Sequence, residues 1–190
     1  SRLIRDIPEE SILAGNKKTN LRQLIANDSQ KEGWSCKCIR CREVRDRQNH
    51  KLQTPMSNKN TSSNDQKIRL NRIEYEASCG KEIFLELIDN HSYLYAMLRL
   101  RLVVGEEGFL PLKNMAIIRE VHTYGEVVDI GEIGDVEQHK GLGKKLIIEA
   151  EKIAKKEGFG KIAVIAGIGV REYYKDLGYK LENTYMVKML

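Results

Sequence analysis

Residues 138–157, QHKGLGKKLIIEAEKIAKKE, decide which fold the sequence predicts. From Leu142 to Glu157 the apolar residues recur at helical spacing on one face, and lysine and glutamate residues occupy the other. The pattern predicts an amphipathic helix that Gly158 and Gly160 end. Its apolar face consists of Leu142, Leu146, Ile147, Ala150, Ile153 and Ala154.

The turn before this helix contains Gly141 and Gly143, which allow the backbone to approach a ligand closely. The N-terminus of the helix offers unpaired N–H groups and a partial positive charge, a suitable site for a pyrophosphate. Lys140, Lys144 and Lys145 add positive charge nearby. A G-x-G sequence is also compatible with a plain loop that enters a helix. The glycine spacings of a dinucleotide fingerprint and of a P-loop are both missing here.

The sequence on either side of the helix predicts strands. The four β-like segments before it are IRLNRIEYEA at 68–77, EIFLELID at 82–89, YLYAMLRLRLV at 93–103 and NMAIIREVHTYGEVVDI at 114–130. After it come a nearly all-apolar run at 161–168, a short helix at 171–178 and closing strands at 179–190. This order predicts a mixed α/β fold in which the long helix crosses over between two strands.

Residues 1–47 form a separate unit in the sequence. We expect a short helix after Pro8 and a second one capped by Asn20. Residues 48–66 are rich in Asn, Ser, Thr and Gln, which predicts a flexible linker or loop. The second domain is then expected at 67–190.

Three of the four cysteines, Cys36, Cys38 and Cys41, lie within six residues of one another. Such clustering favours a metal site over a disulfide framework, and tetrahedral zinc is the first expectation. Three unrelated thiols and an iron–sulfur role remain alternatives. The fourth ligand is open between Cys79, His50 and a group outside this chain.

The 190 residues carry a net charge of +5, which permits an anionic partner such as a phosphate-rich cofactor or RNA without establishing one. No apolar run approaches the roughly 20 residues of a membrane span, and no signal peptide is visible. We therefore expect a cytoplasmic protein with no membrane partner. Because the chain begins with Ser1, we expect a fragment or a processed form.

The turn at 138–143 resembles the [Gln/Arg]-x-x-Gly-x-[Gly/Ala] turn with which GNAT acetyltransferases cradle the coenzyme A pyrophosphate. The resemblance implies a GNAT fold, a mixed and mostly antiparallel sheet with flanking helices, and acetyl-coenzyme A as cofactor. It also implies that the pantetheine arm enters a gap between two strands. A phenol on the short helix, of Tyr173 or Tyr174, would protonate the coenzyme A thiolate, since its pKa is close to that of a thiol. The implied cofactor contacts are Gln138, His139, Lys140, Gly141, Leu142, Gly143, Lys144, Val127, Val128, Tyr173 and Tyr174.

A narrower resemblance covers nearly all of the chain outside 48–66. EVHTYGEVV at 120–128, the turn and helix at 137–158 and the segment 160–188 resemble the acetyltransferase domain of the Elongator catalytic (third) subunit family. RLIRDIP at 2–8 and CKCIRCREV at 36–44 resemble the junction that precedes this domain. That junction binds zinc in the family, so the resemblance implies a structural zinc at the cysteine cluster.

The family resemblance implies an enzyme that carboxymethylates carbon 5 of the wobble uridine of tRNA. A radical S-adenosylmethionine domain with an iron–sulfur cluster activates acetyl-coenzyme A, whose thioester is cleaved when tRNA is bound. This chain has no C-x-x-x-C-x-x-C motif, so we expect it to be the C-terminal part, with a remnant of the barrel's end in 1–47. Its expected partners are tRNA, acetyl-coenzyme A, and a second copy or other Elongator-like subunits.

Two further groups of residues are candidates. His122 is expected to face the thioester and to orient or activate water, although a structural role is the alternative and Glu120 and Glu126 are competing bases.

Basic residues around the cysteines and near the N-terminus are expected to contact the tRNA backbone, with a solvated face as the alternative. These basic residues are Arg2, Arg5, Lys37, Arg40, Arg42, Arg45 and Arg47. Trp34 is expected to stack on a base or to pack around the zinc.

Two competing functions remain at this point. A protein lysine acetyltransferase would need a groove for a lysine-bearing peptide and a base for its ammonium. A zinc-stabilised RNA-binding module would use the cofactor pocket only structurally.

Overall fold

The fold was analysed in a computed structural model of the chain. It describes residues 10, 13–15, 21–44, 68–78, 80–103, 112–124 and 141–190. The chain divides into two compact units, Ser1–Lys59 and Asn60–Leu190, which are treated separately. The predicted linker at 48–66 lies outside the described residues.

Among the described residues of the first unit there are two α-helices, α1 at Leu21–Glu32 and the short α2 at Ile39–Arg42. The predicted second helix is thus confirmed as α1, while its cap Asn20 and most of the helix expected after Pro8 lie outside the described residues. Cys38 occupies the N-cap of α2, and its carbonyl accepts hydrogen bonds from the N–H groups of Cys41 and Arg42.

The second unit is built on one seven-stranded sheet in the order β1-β2-β3-β4-β5-β7-β6. Its strands are β1 at Arg69–Ala77, β2 at Gly80–Ile88, β3 at Leu94–Leu102, β4 at Ala116–Thr123, β5 at Lys161–Val164, β6 at Lys180–Glu182 and β7 at Tyr185–Met189. Every neighbouring pair is antiparallel except β4 and β5, which are parallel. The predicted mixed, mostly antiparallel sheet is therefore confirmed.

Helix α3, at Leu142–Lys156, crosses over between the two parallel strands. All six residues of its predicted apolar face are buried, and they pack on the sheet with alternate residues of β2 and β3. After β5 come one 3₁₀ turn at Ile168–Val170 and helix α4 at Arg171–Asp176. None of the helices in the described parts of the chain is both long and apolar enough to cross a membrane.

Strands β4 and β5 part after a short stretch. They pair only from Ala116 with Ile162 to Ile118 with Val164. Strand β5 ends there, earlier than the predicted run at 161–168, whereas β4 continues to Thr123. Since β4 remains paired with β3, the parting leaves a gap on its β5 side.

A β-bulge lies where the strands part. Arg99 pairs with Glu120 but Leu100 pairs with Ile118, so Arg119 is the extra residue of β4. Its Nη1 donates a 2.8 Å hydrogen bond to Oε1 of Glu82, a carboxylate that is only 1% exposed. Burial alone would raise the pKa of the Glu82 carboxyl. The hydrogen bonds from Arg101 and Arg119, together with the positive charge of the nearby arginines, have a larger combined effect, so the pKa is lowered overall. The bulge is therefore anchored on a buried, ionised carboxylate.

Candidate functional site

The gap between β4 and β5 exposes one edge of a strand. Within the described residues, β4 beyond Ile118 has a strand neighbour only on its β3 side. The backbone N–H and C=O groups directed toward the gap need hydrogen-bond partners from water or from a ligand. The gap is thus suited to an extended molecule with amide groups of its own.

The N-terminus of α3 lies at the free end of β4. Gly141 is the N-cap residue with φ +93°, a left-handed conformation that glycine adopts readily. Gly141 has no side chain that could cap the helix, so among the described residues the N–H groups of its first turn are open to an anion. A Cβ placed on Gly143 would lie 3.5 Å from Thr123 Cγ2 and 3.9 Å from Val121 Cγ1. The first turn of α3 therefore lies close to the part of β4 that has no β5 neighbour.

The two adjacent tyrosines of α4 have different surroundings. Tyr173 is 43% exposed, and its hydroxyl would lie 3.6 Å from a Cβ on Gly143, at the first turn of α3. Tyr174 is 7% exposed and belongs to the core, with its ring edge-on to the ring of Tyr173 at 5.3 Å. Burial raises the pKa of both phenols, so both are protonated near neutral pH and can donate.

His122 does not share a face with the N-terminus of α3. It pairs with Met97, whereas Val121 and Thr123, which border Gly143, alternate with it and point to the opposite face. The imidazole is exposed and stacks on the ring of Tyr124, with ring centroids 6.3 Å apart. A molecule beside the edge of β4 can be reached by side chains from both faces of the strand. His122 therefore remains a candidate for orienting or activating water, from the face opposite Val121 and Thr123.

Glu120, one of the competing bases, already has a partner. Its carboxylate accepts a 3.1 Å hydrogen bond from Nη1 of Arg99. The other competing base, Glu126, lies outside the described residues. The other predicted site residues that lie outside the described residues are Gln138, His139, Lys140, Val127, Val128, Arg2, Arg5, Arg45, Arg47, Cys79 and His50.

The three clustered cysteines converge in the first unit. The Sγ atoms of Cys36, Cys38 and Cys41 all lie within 4.8 Å of one another. Thiolates of a tetrahedral zinc site, with Zn–S bonds of ~2.3 Å, are separated by about 3.8 Å, so small adjustments would bring all three onto one ion. Burial is the largest cause that raises the pKa of the Cys41 thiol, and the hydrogen bonds and negative charge of Cys38 and Cys36 add to it, so that together they raise the pKa to about 12. This repulsion among thiolates is what a bound cation relieves.

The basic residues near the cysteines divide into two groups. Lys37 and Arg40 are exposed. Arg42 is half-buried, and its Nε donates a 3.1 Å hydrogen bond to the carbonyl of Lys37. Trp34 is partly exposed and donates through Nε1 to Glu32 at 2.9 Å. Lys37 and Arg40 are therefore available to a phosphate backbone, and Arg42 supports the local backbone.

Val121 and Thr123, which lie next to Gly143, were not among the residues predicted from the sequence. The alternation of side chains along β4 could have indicated them, because it places both on the face opposite His122. The hydrogen bond from Tyr179 to Glu151 was not predicted either, since it joins residues 28 positions apart and leaves no local pattern.

The chain is similar to proteins whose names describe a tRNA modification. A tRNA uridine(34) acetyltransferase of Dehalococcoides mccartyi is 42% identical over 198 residues, which cover the whole chain and 40% of that protein. One from Methanocaldococcus jannaschii is 44% identical over 201 residues, covering the whole chain and 34% of that protein. Human Elongator complex protein 3 is 38% identical over 193 residues, again the whole chain and 34% of the relative.

A solved structure agrees with these relatives. The archaeal Elp3 of Methanocaldococcus infernus with an N-terminal deletion is 42% identical, with a TM-score of 0.73 over the whole chain and 44% of that protein. No family model matches. The GNAT fold expected from the sequence is confirmed. The chain spans about two fifths or less of the length of the curated relatives described above.

Substitutions at Gly143 test the site. Gly143→Ala should bind acetyl-coenzyme A nearly normally, because a Cβ there meets only ordinary contact distances. Gly143→Leu should weaken binding by more than about tenfold, or 1.4 kcal/mol, because its branched end must enter the space beside Thr123 and Tyr173. Calorimetric titration of the folded variants measures both. Gly160→Leu is the matched control, since nothing lies within 4 Å of its Cβ position. Equal affinity for the Gly143→Leu variant and the parent would contradict the assignment.

Proposed function

Because the chain belongs to the family of tRNA uridine(34) acetyltransferases and Elongator complex protein 3, we propose that it binds acetyl-coenzyme A and cleaves the thioester within a wobble-uridine-modifying enzyme. The chain covers 34–40% of these relatives. The radical S-adenosylmethionine chemistry, with its iron–sulfur cluster, is assigned to a part of the protein outside this chain.

The observation that carries the proposal is the proximity of the N-terminus of α3 to the part of β4 that has no β5 neighbour. The pyrophosphate binds the first-turn N–H groups, where the helix dipole favours negative charge and Lys144 and Lys145 are exposed. The pantetheine amides then pair with the free edge of β4, in the manner of an added strand. In this arrangement the thioester would lie toward the bulge, which is at Arg119.

The position of the Tyr173 hydroxyl gives a basis for assigning different roles to the two tyrosines. About twelve bonds join the phosphate to the sulfur of pantetheine, and an extended chain of that size spans up to about 14 Å. The hydroxyl of Tyr173 lies beside the first turn of α3, at the phosphate end. We therefore assign Tyr173 to cofactor binding, which leaves Tyr174 as the acid of the pair.

Thioester cleavage then needs one proton donor and one group that guides the nucleophile. Water would add to the acetyl carbonyl and release a proton to solvent, the C–S bond would break to give acetate, and the departing sulfur would take the proton of the Tyr174 phenol. The phenol regains its proton from solvent. His122, on the opposite face of β4, is assigned to orient the nucleophile from that side.

The first unit supplies a different function. The three cysteines are proposed to hold a structural zinc, with a fourth ligand outside the described residues. Lys37 and Arg40, both exposed beside the cluster, are proposed to contact the tRNA backbone together with Arg2, Arg5 and Arg45.

A second copy or other subunits complete the expected partners, and the cytoplasm is the proposed compartment. No observation in the described parts of the chain favours a protein lysine acetyltransferase.

The release of free thiol from acetyl-coenzyme A tests this function. The full-length protein should cleave the thioester, and tRNA should increase the rate, because the substrate completes the site. The measurement is thiol release with and without tRNA, beside a lysine-bearing histone peptide as the competing acceptor. Acetylation of the peptide without any response to tRNA would refute the proposal in favour of the alternative. Binding of RNA without binding of the cofactor would favour a structural module.

Single substitutions test the division of labour between the tyrosines. Tyr174→Phe should lower cleavage by about 10²–10⁴-fold at saturating cofactor while affinity stays near normal, because the hydroxyl matters when charge develops on sulfur. Tyr173→Phe should mainly weaken binding, by about tenfold, as expected for one hydrogen bond to a charged group. Each variant retains its ring, so packing is preserved. The reverse pattern would exchange the two roles, and parental rates in both would assign the proton transfer to another donor.

Removal of one thiol tests the zinc site. The purified protein should contain about one zinc per chain, and Cys38→Ser should release it, because two thiols cannot hold the ion tightly. The first unit should lose stability while cofactor affinity stays unchanged. Elemental analysis and proteolysis measure these effects. Cys79→Ser is the informative companion, since retained zinc excludes Cys79 as the fourth ligand. Absence of metal from carefully prepared parent protein would contradict the assignment.

A further inference from the structure

A ladder of aromatic rings connects the tyrosine pair to a charged anchor on α3. The ring of Tyr174 lies edge-on between two others, 5.3 Å from Tyr173 and 5.6 Å from Tyr179, with interplanar angles of 76° and 72°. The hydroxyl of Tyr179 donates a 2.9 Å hydrogen bond to Oε1 of Glu151. The ladder therefore runs from the first turn of α3, at Tyr173, back to the third turn of the same helix.

The anchor at the far end is fixed from a second direction. Nζ of Lys188, on β7, donates a 2.8 Å hydrogen bond to the other carboxylate oxygen, Oε2 of Glu151. The same ammonium lies 5.5 Å from the centroid of the Tyr179 ring. Tyr179 is only 2% exposed and Glu151 is largely buried, so water competes little for these contacts. Both oxygens of Glu151 have a partner, which fixes the orientation of its carboxylate.

This arrangement does more than fill the core. A phenylalanine at 179 would provide the same apolar surface, so burial alone does not require the hydroxyl or its acceptor. An edge-to-face contact sets the angle between two rings as well as their distance. Because the Tyr179 ring is held at its hydroxyl, its orientation constrains the Tyr174 ring that packs against it. Because Tyr174 lies between two rings, a tilt of Tyr179 changes the direction of the Tyr174 phenol.

We propose that Glu151 and Lys188, acting through Tyr179, are positioning residues that aim the Tyr174 phenol at the departing sulfur. The inference rests on the proposed thioester-cleaving function. None of the three touches the cofactor in this assignment. Their effect should therefore appear in the rate of cleavage at saturating acetyl-coenzyme A and leave the affinity for the cofactor unchanged.

The test compares four variants of the full-length protein in the presence of tRNA. Tyr179→Phe and Glu151→Ala should each lower the cleavage rate by about tenfold or more, because small displacements of a reacting group have effects of this order or larger. The dissociation constant for acetyl-coenzyme A should change less than about twofold. Glu151→Gln keeps an acceptor for the Tyr179 hydroxyl and should restore much of the rate. Glu149→Ala is the matched control, because its partner Lys152 lies on the same exposed helix surface.

The readouts separate positioning from simple stability. Thermal unfolding is measured for every variant, and rates are compared at a temperature where all are folded. Parental rates in folded Tyr179→Phe and Glu151→Ala would overturn the proposal. Equal losses in rate and affinity would also overturn it, since they indicate a general distortion of the site. If the parent itself does not cleave acetyl-coenzyme A, the proposed function fails instead, and the two failures are thereby distinguished.

Discussion

The site depends on the early parting of two neighbouring strands. Strands β4 and β5 pair over three residue pairs and then diverge, while β4 continues along β3. Beyond Ile118 the residues of β4 are exposed or half-buried, so water reaches this part of the strand. Its unpaired backbone groups can therefore bond to water, or to an extended, amide-containing molecule of the kind proposed above. The bulge at Arg119 changes the course of β4 where the strands separate.

Hydrophobic burial places the helix terminus at this opening. Six apolar residues of α3 pack on the sheet and fix its axis, so that its first turn meets the free end of β4. The two glycines then serve different purposes. Gly141 provides the left-handed turn into the helix, and Gly143 leaves room between the helix, β4 and Tyr173. The proposed anion site and the proposed opening for the cofactor arm would thus arise from one packing arrangement.

Two carboxylates, Glu82 and Glu151, provide long-range anchors. Glu82 on β2 holds the bulge of β4 through Arg119, and Glu151 on α3 holds the end of the tyrosine ladder together with Lys188 of β7. Buried ion pairs contribute little net stability, since desolvation offsets much of the attraction between the charges. Their effect here is geometric, because Glu82 fixes the side chain of Arg119 at the bulge and Glu151 fixes the hydroxyl of Tyr179.

The sequence by itself determined the local elements and the chemistry of the turn. The 3.6-residue period of α3, the glycines before it and the clustered cysteines are local patterns, and each predicted its feature without knowledge of the rest. The end of β5 at Val164, the opposite faces of Val121 and His122, and the different burial of Tyr173 and Tyr174 were decided only in the tertiary structure. The physical reason is that each depends on which distant strand or ring is adjacent. Strand pairing and edge-to-face packing join residues far apart in the chain, and a local pattern does not carry that information.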